Sequence, residues 1–164
     1  MINIKNISIL GLGIVLAYLL LGSSDIEIQN YDYDVTIYRD KWGVPHIYGK
    51  KDTDTAFGLA YAHSEDDFKT LQDVLLALRG ELASVKGKDS APVDYLVGML
   101  KVWETVDKRY DSDLSQEVKD LCSAYADGVN LYMEKHPDEI VGDLYPVTGK
   151  DIVAGFVFRV PLMF

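Results

Sequence analysis

The chain has 164 residues, with 26 Asp and Glu against 16 Lys and Arg, three His and one Cys. That length is enough for one domain with a real core, and a composition 48% hydrophobic and 26% charged excludes disorder throughout. A formal net charge of −10 argues against nucleic-acid binding, which needs a cationic surface, and one cysteine excludes both a disulfide framework and a cysteine-built zinc site.

Residues 1–24 carry a single charge, Lys5, followed by a mostly apolar run from Ile7 to Leu21. Such a run would span roughly 22 Å as a helix, short of a bilayer core of about 30 Å. A basic start, a short apolar stretch and the small residues Gly22, Ser23 and Ser24 read as a secretory signal peptide cleaved after Ser24. The alternative is an uncleaved anchor. The chain then divides into a signal peptide, 1–24, and one domain, 25–164, exported to the periplasm or secreted, touching a membrane only through its leader.

Tyr31 to Asp40 alternates like a half-buried strand, with Val35 and Ile37 on one face and Thr36 and Tyr38 on the other. Gly43 and Pro45 break it, and His46–Tyr48 resumes a short extended run. From Asp52 the period becomes helical, with Asp52 or Thr53 as the expected cap. Phe68, Leu71, Leu75, Leu78, Leu82 and Val85 then form one apolar stripe at alternating spacings of three and four, closed by Gly87. Between Pro92 and Tyr110, Leu96, Met99, Leu100, Trp103 and Val106 share a side. Ser115 caps the next helix, which turns Val118, Leu121, Tyr125, Val129 and Tyr132 inward and stops at Pro137; Cys122 lies among them as a small buried group. Thr148-Gly-Lys-Asp151 has capping-box spacing and opens a last helix, which Pro161 kinks or ends. Val160, Leu162, Met163 and Phe164 follow, each worth about 1.5–3 kcal/mol if buried. Apolar side chains of that weight are expected to dock, into a local pocket or against the rest of a longer protein.

Local chemistry is sparse. His63 and Asp67 stand at helical i, i+4 spacing within an acidic cluster, so they could pair or ligate, or simply form a solvated face. His46 sits in a turn and His136 at a helix end. There is no Gly-x-Ser-x-Gly elbow and no Ser-x-x-Lys, and Gly11-Leu-Gly13 falls inside the leader. Asp66-Asp67 and Asp138-Glu139 lack the spacing of a calcium loop. No catalytic residue and no metal ligand is predicted.

Several blocks, taken in order, do carry a resemblance. Val35-Thr-Ile-Tyr-Arg-Asp-Lys-Trp-Gly-Val-Pro-His-Ile47 resembles the opening of the penicillin acylase family of N-terminal-nucleophile hydrolases, which includes acyl-homoserine-lactone and aculeacin acylases. Ala56-Phe-Gly-Leu-Ala-Tyr-Ala-His-Ser-Glu-Asp66 resembles its "FGxGYAxAxD", Arg79-Gly-Glu-Leu-Ala83 with Gly87 its "GxLAExxG", and Tyr125-Ala-Asp-Gly-Val-Asn130 its "YAxGVN". Asp151–Phe164 is similar to the helix carrying part of the substrate pocket. One departure is Asp67, where many relatives have Arg, which argues against a close match to the penicillin G type and leaves other acylase subgroups open; His63 and Asp66 then look structural, setting the helix against the sheet.

The resemblance implies an α+β fold: a mostly helical α-chain portion with one or two N-terminal strands, part of an αββα sandwich. It also implies a precursor that cuts itself into an α chain and a larger β chain. The new N-terminal residue of the β chain, usually Ser, attacks the amide carbonyl, and its own free amine serves as base. No catalytic residue falls on the α portion, which supplies structure and some of the pocket wall. By the same resemblance, Met163 and Phe164 are the substrate-binding candidates. The implied partners are the β chain and a small acylated amide substrate, and no cofactor is needed, although calcium is possible in the full-length protein. The competing expectation is a stand-alone exported helical binding domain with an apolar C-terminal groove.

Overall fold

A computed structural model describes residues 29–163; the proposed leader and Phe164 lie outside them. Strands β1 (Val35–Arg39) and β2 (Pro45–Gly49) pair antiparallel, with Ile37 opposite Ile47 and Thr36 opposite Tyr48. The connection is pinned by Asp40, whose carboxylate accepts the Trp42 and Val44 N–H groups at 2.9 and 3.0 Å, and by Gly43 at φ 84°. Those donors hold the Asp40 carboxyl below the usual carboxylate range. The expected alternation holds within β1, but the strand starts at Val35 rather than Tyr31. Upstream, Tyr31 and Tyr33 instead pack on Phe57, and their hydroxyls donate to Glu134 and Asp127 at 2.6 and 2.7 Å.

Helix α1 (Asp52–Arg79) lies under the sheet. Its cap is neither Asp52 nor Thr53. The chain enters through extended Lys51, and Asp54 reaches back from the first turn to accept the N–H groups of Lys50, Lys51 and Asp34 at 3.0–3.3 Å. Burial opposes ionisation of Asp54, but these donors outweigh it and leave its carboxyl below its ordinary value. At Asp67 the backbone leaves the helical region (φ −158°, ψ 65°), and the Asp67 carboxylate accepts the Thr70 N–H at 3.1 Å, capping the second half of the helix. Of the two alternatives for His63 and Asp67, the structure shows no hydrogen bond between them: His63 meets the Tyr125 hydroxyl and Asp67 caps at Thr70.

The predicted stripe from Phe68 to Val85 is cut at Gly80, which adopts φ 73° and ends α1; Leu82 and Val85 ride on the short helix α2 (Leu82–Lys86). The predicted face from Leu96 to Val106 is cut as well. Lys101 takes the left-handed conformation (φ 52°) between α3 (Ala91–Met99) and α4 (Val102–Asp113), so Val97, Val102 and Val106 are buried while Met99 is exposed.

Helix α5 (Gln116–Lys135) starts at Ser115, as the sequence predicts, and packs along α1. Its buried face is Cys122, Ala126, Val129, Tyr132 and Met133, and Val118 is exposed rather than inward. A Cβ on Gly128 would stand 2.3 Å from the Phe57 carbonyl oxygen and 2.8 Å from Ala60 Cβ, so glycine sets how closely the two helices cross. The main core fills this crossing with Phe68, Leu75, Leu76, Val129, Met133, Leu144 and Val147; a second cluster joins Val97, Val102, Val106 and Ala154. Helix α6 (Gly149–Arg159) follows, and Pro161 falls in a closing 3-10 turn, Val160–Leu162. The chain is thus α+β, as expected. Among the described residues no helix is long and apolar enough to cross a membrane.

Candidate functional site

Helix α6 is fixed at its N-terminus by one buried ion pair. Asp151, with its side chain 2% exposed, accepts from Arg79 Nε at 2.7 Å and Nη2 at 3.1 Å. It also accepts the Thr148 N–H and hydroxyl, both at 2.8 Å, realising the predicted capping-box spacing. Arg79 donates further to the carbonyls of Asp143 and Pro146. A buried pair with this many satisfied groups fixes geometry more than it adds net stability. Asn130 does the same for the loop before α6: its amide donates to the Val147 carbonyl and accepts the Val147 N–H, both at 2.8 Å. Gln72 holds the upstream stretch, donating to the Glu139 carbonyl and accepting the Val141 N–H.

So anchored, α6 buries Ala154 and half-buries Ile152, Val153, Val157 and Phe158. Its distal end is bare: Phe156 and Met163 are each 65% exposed, and Val160 and Leu162 are exposed beside them. An open groove of about 510 Å³ runs between α1 and α6, walled by Leu71, Leu75, Leu78, Ile152, Phe158 and Leu162. Apolar walls with few polar groups suit a hydrocarbon or aromatic occupant. Of the two predicted binding residues, Met163 stands at this end of the molecule, and Phe164 is outside the described residues.

The histidines do not converge. His63 Nδ1 is 2.7 Å from the Tyr125 hydroxyl, His46 faces Asp40 at 3.6 Å, and His136 stacks on Tyr132 near Glu139. Asp66, with Glu65, clamps Arg39 of β1 at 2.8 and 3.0 Å, which sets α1 against the sheet; His63 instead ties α1 to α5. Cys122 is buried as predicted, and burial pushes its thiol up, away from the reactive thiolate. Among the described residues no three His, Cys, Asp or Glu side chains could hold a metal ion.

Sequence reading missed the positioning roles of Asn130, Gly128 and Gln72. The first two sit inside a quoted motif block, so the signal was present, but the contact each makes is long-range and carries no local signature.

Comparison with known proteins follows the same blocks. The penicillin amidase family profile matches residues 34–154. The acyl-homoserine lactone acylase QuiP of Pseudomonas fluorescens Pf-5 is 31% identical over 111 residues, 68% of this chain and 14% of that protein. The penicillin acylase 2 proenzyme of Pseudomonas sp. SE83 matches to the same extent, again 31% identical over 111 residues, 68% of this chain and 14% of its own length. Among solved structures, a thermostable penicillin G acylase from Alcaligenes faecalis aligns with a TM-score of 0.62 at 24% identity, covering 82% of this chain and 75% of that one. The chain spans about one seventh of the length of the curated relatives it matches. With the hairpin, both halves of the α1–α5 crossing and the start of α6 all inside the matched segment, the chain belongs to the penicillin amidase family.

Proposed function

We propose that the chain is the α-chain portion of an exported amidohydrolase precursor. The whole enzyme would cleave the amide of an N-acylated substrate such as an acyl-homoserine lactone, a lipopeptide or a β-lactam. The observation that carries this reading is the family match across residues 34–154 to relatives about seven times as long, whose names are acyl-homoserine lactone acylase and penicillin acylase. One of them is named a proenzyme, which supports a processed precursor. The nucleophile, its amine base and the oxyanion donors then belong to the β chain. The α portion contributes a rigid α6, held by Arg79 and Asp151, whose apolar end with Met163 and Phe164 lines part of the acyl pocket. In that role it excludes water from the acyl group and orients it by shape. Among the described residues no ligand set for calcium is assembled. Residues 1–24 act as the leader, and the enzyme works in the periplasm or outside the cell.

The purified chain alone is expected to lack amidase activity. Acid release from an acyl-amide reporter by this chain would overturn the reading. The DNA downstream of the Phe164 codon is the direct test: a coding frame containing an acylase β chain supports the proposal. A stop with no acylase sequence nearby favours the stand-alone binding domain, for which the α1–α6 groove would be the site.

A further inference from the structure

Of the four arginines, three are paired with acids: Arg39 reaches Glu65 and Asp66, Arg79 reaches Asp151, and Arg109 reaches Asp113. Arg159 has no ion pair and no side-chain hydrogen bond among the described residues, although acids outnumber bases 26 to 16 in this chain. A basic residue in the last turn of a helix answers the negative end of the helix dipole, and that alone would account for its place on α6. Its surroundings are less ordinary. Arg159 is exposed at the rim of the groove between α1 and α6, whose walls are mostly apolar.

Three polar side chains border that groove, and two of them are already engaged. The Asp151 carboxylate is filled by Arg79 and Thr148, and the Tyr125 hydroxyl lies 2.7 Å from His63 Nδ1. Burial also pushes the Tyr125 hydroxyl up, so it stays neutral. Asp151 and Arg79 cancel one another, which leaves Arg159 as the cation that sets the charge of the rim. A guanidinium stays charged at any physiological pH and presents its N–H donors as a planar fork that matches the two oxygens of a carboxylate. A single cation suits a monoanion better than a phosphate ester, which carries nearly two charges. The groove volume, about 510 Å³, lies in the range of small-molecule sites. Ile152 and Arg159 are both on α6, about 10 Å apart along its axis, so an apolar body and an anionic head can be held at once.

We propose that this groove binds a free carboxylic acid of medium length, with its apolar body against Leu71, Leu75 and Ile152 and its carboxylate on Arg159. The site is built within α1, α5 and α6 and does not rest on the proposed function; Met163, the predicted substrate-binding residue, is not among its walls.

The probe is sodium octanoate, titrated calorimetrically at neutral pH into the folded product of the full gene, whether that is this chain alone or a longer processed protein. Octanol and acetate are the controls. Octanoate is expected to bind about tenfold more tightly than octanol, the scale of one charge-assisted hydrogen-bonded contact, and acetate, which lacks the tail, to give no measurable heat. Arg159→Gln should weaken octanoate by the same factor and leave octanol unchanged. Arg159→Lys, which keeps the charge without the fork, should fall between the two. Arg159 holds no other side chain in place, so both variants should melt with the parent, and the comparison of octanoate with octanol needs no variant at all. Octanoate that binds no more tightly than octanol, or as tightly to Arg159→Gln as to the parent, overturns the inference. Binding heat is read without turnover, so either result leaves the proposed function to its own test of amide cleavage.

Discussion

Replacing Gly128 by alanine sets two known effects against each other at one atom. In an isolated helix the change is favourable by about 1 kcal/mol. Here the added Cβ would stand 2.3 Å from the Phe57 carbonyl oxygen and 2.8 Å from Ala60 Cβ. The oxygen belongs to the backbone of α1 and cannot rotate away, so α5 must retreat by about 1 Å, enough to forfeit a quarter to a half of the dispersion well for side chains at the crossing. Overpacking of that kind costs about 3 kcal/mol, the top of the usual range, leaving a net loss near 2 kcal/mol. Two companions calibrate the reasoning. Gly58→Ala meets Val35 Cγ2 at 2.5 Å and Ile47 Cγ2 at 2.9 Å, the ends of side chains that can shift, and should cost less. Gly98→Ala, in helix α3 with nothing within 4 Å of the new Cβ, should stabilise by up to about 1 kcal/mol. Urea unfolding followed by circular dichroism gives all three free energies. A Gly128→Ala protein as stable as the parent would refute the claim that a backbone contact sets the α1–α5 distance.

Three further outcomes follow from the same coordinates. Asp151→Ala strands Arg79 beside two carbonyls and removes the Thr148 cap; it should cost about 3–5 kcal/mol, read as a lower urea midpoint, and a cost below about 1 kcal/mol would show the pair to be dispensable. On the alkaline side, burial and donation to Glu139 push Tyr132 up from 10.0 to about 12, and Tyr31 and Tyr33 move the same way against Glu134 and Asp127. The unfolded chain releases these protons first, so the stability they contribute is complete below pH 10 and drains away as pH rises toward 12; an unfolding free energy that stays flat across that interval would contradict it. Asp67→Arg removes the acceptor for the Thr70 N–H and should lower the melting temperature without altering the overall circular dichroism; an unchanged melting temperature would mean the kink holds without its cap.

The elements were largely legible because their signals are local. Alternation at Val35–Tyr38, Ser115 as cap, the Thr148–Asp151 spacing and Pro161 as terminator each depend on neighbours within one turn, and each reappears in the fold. Faces were less legible. The stripe through Leu82 and the run through Trp103 look continuous in one dimension, but Gly80 and Lys101 adopt left-handed conformations that redirect the chain. On α5, counting large apolar residues found Val129 but also pointed to Val118, whereas the close crossing with α1 selected the small Ala126 and Gly128 beside Val129.

The candidate site divides along the same line. The apolar weight of Val160, Leu162 and Met163 could be read directly from the sequence, because transfer free energy belongs to the side chain. Where that end sits, and what holds it there, comes from Arg79 reaching Asp151 and Asn130 reaching Val147, contacts between residues remote in sequence. The ordered motif blocks therefore pointed to the family, and local cap signals to the starts of α5 and α6. Only the tertiary structure decided which surfaces remain bare, because exposure depends on what distant segments of the chain have already covered.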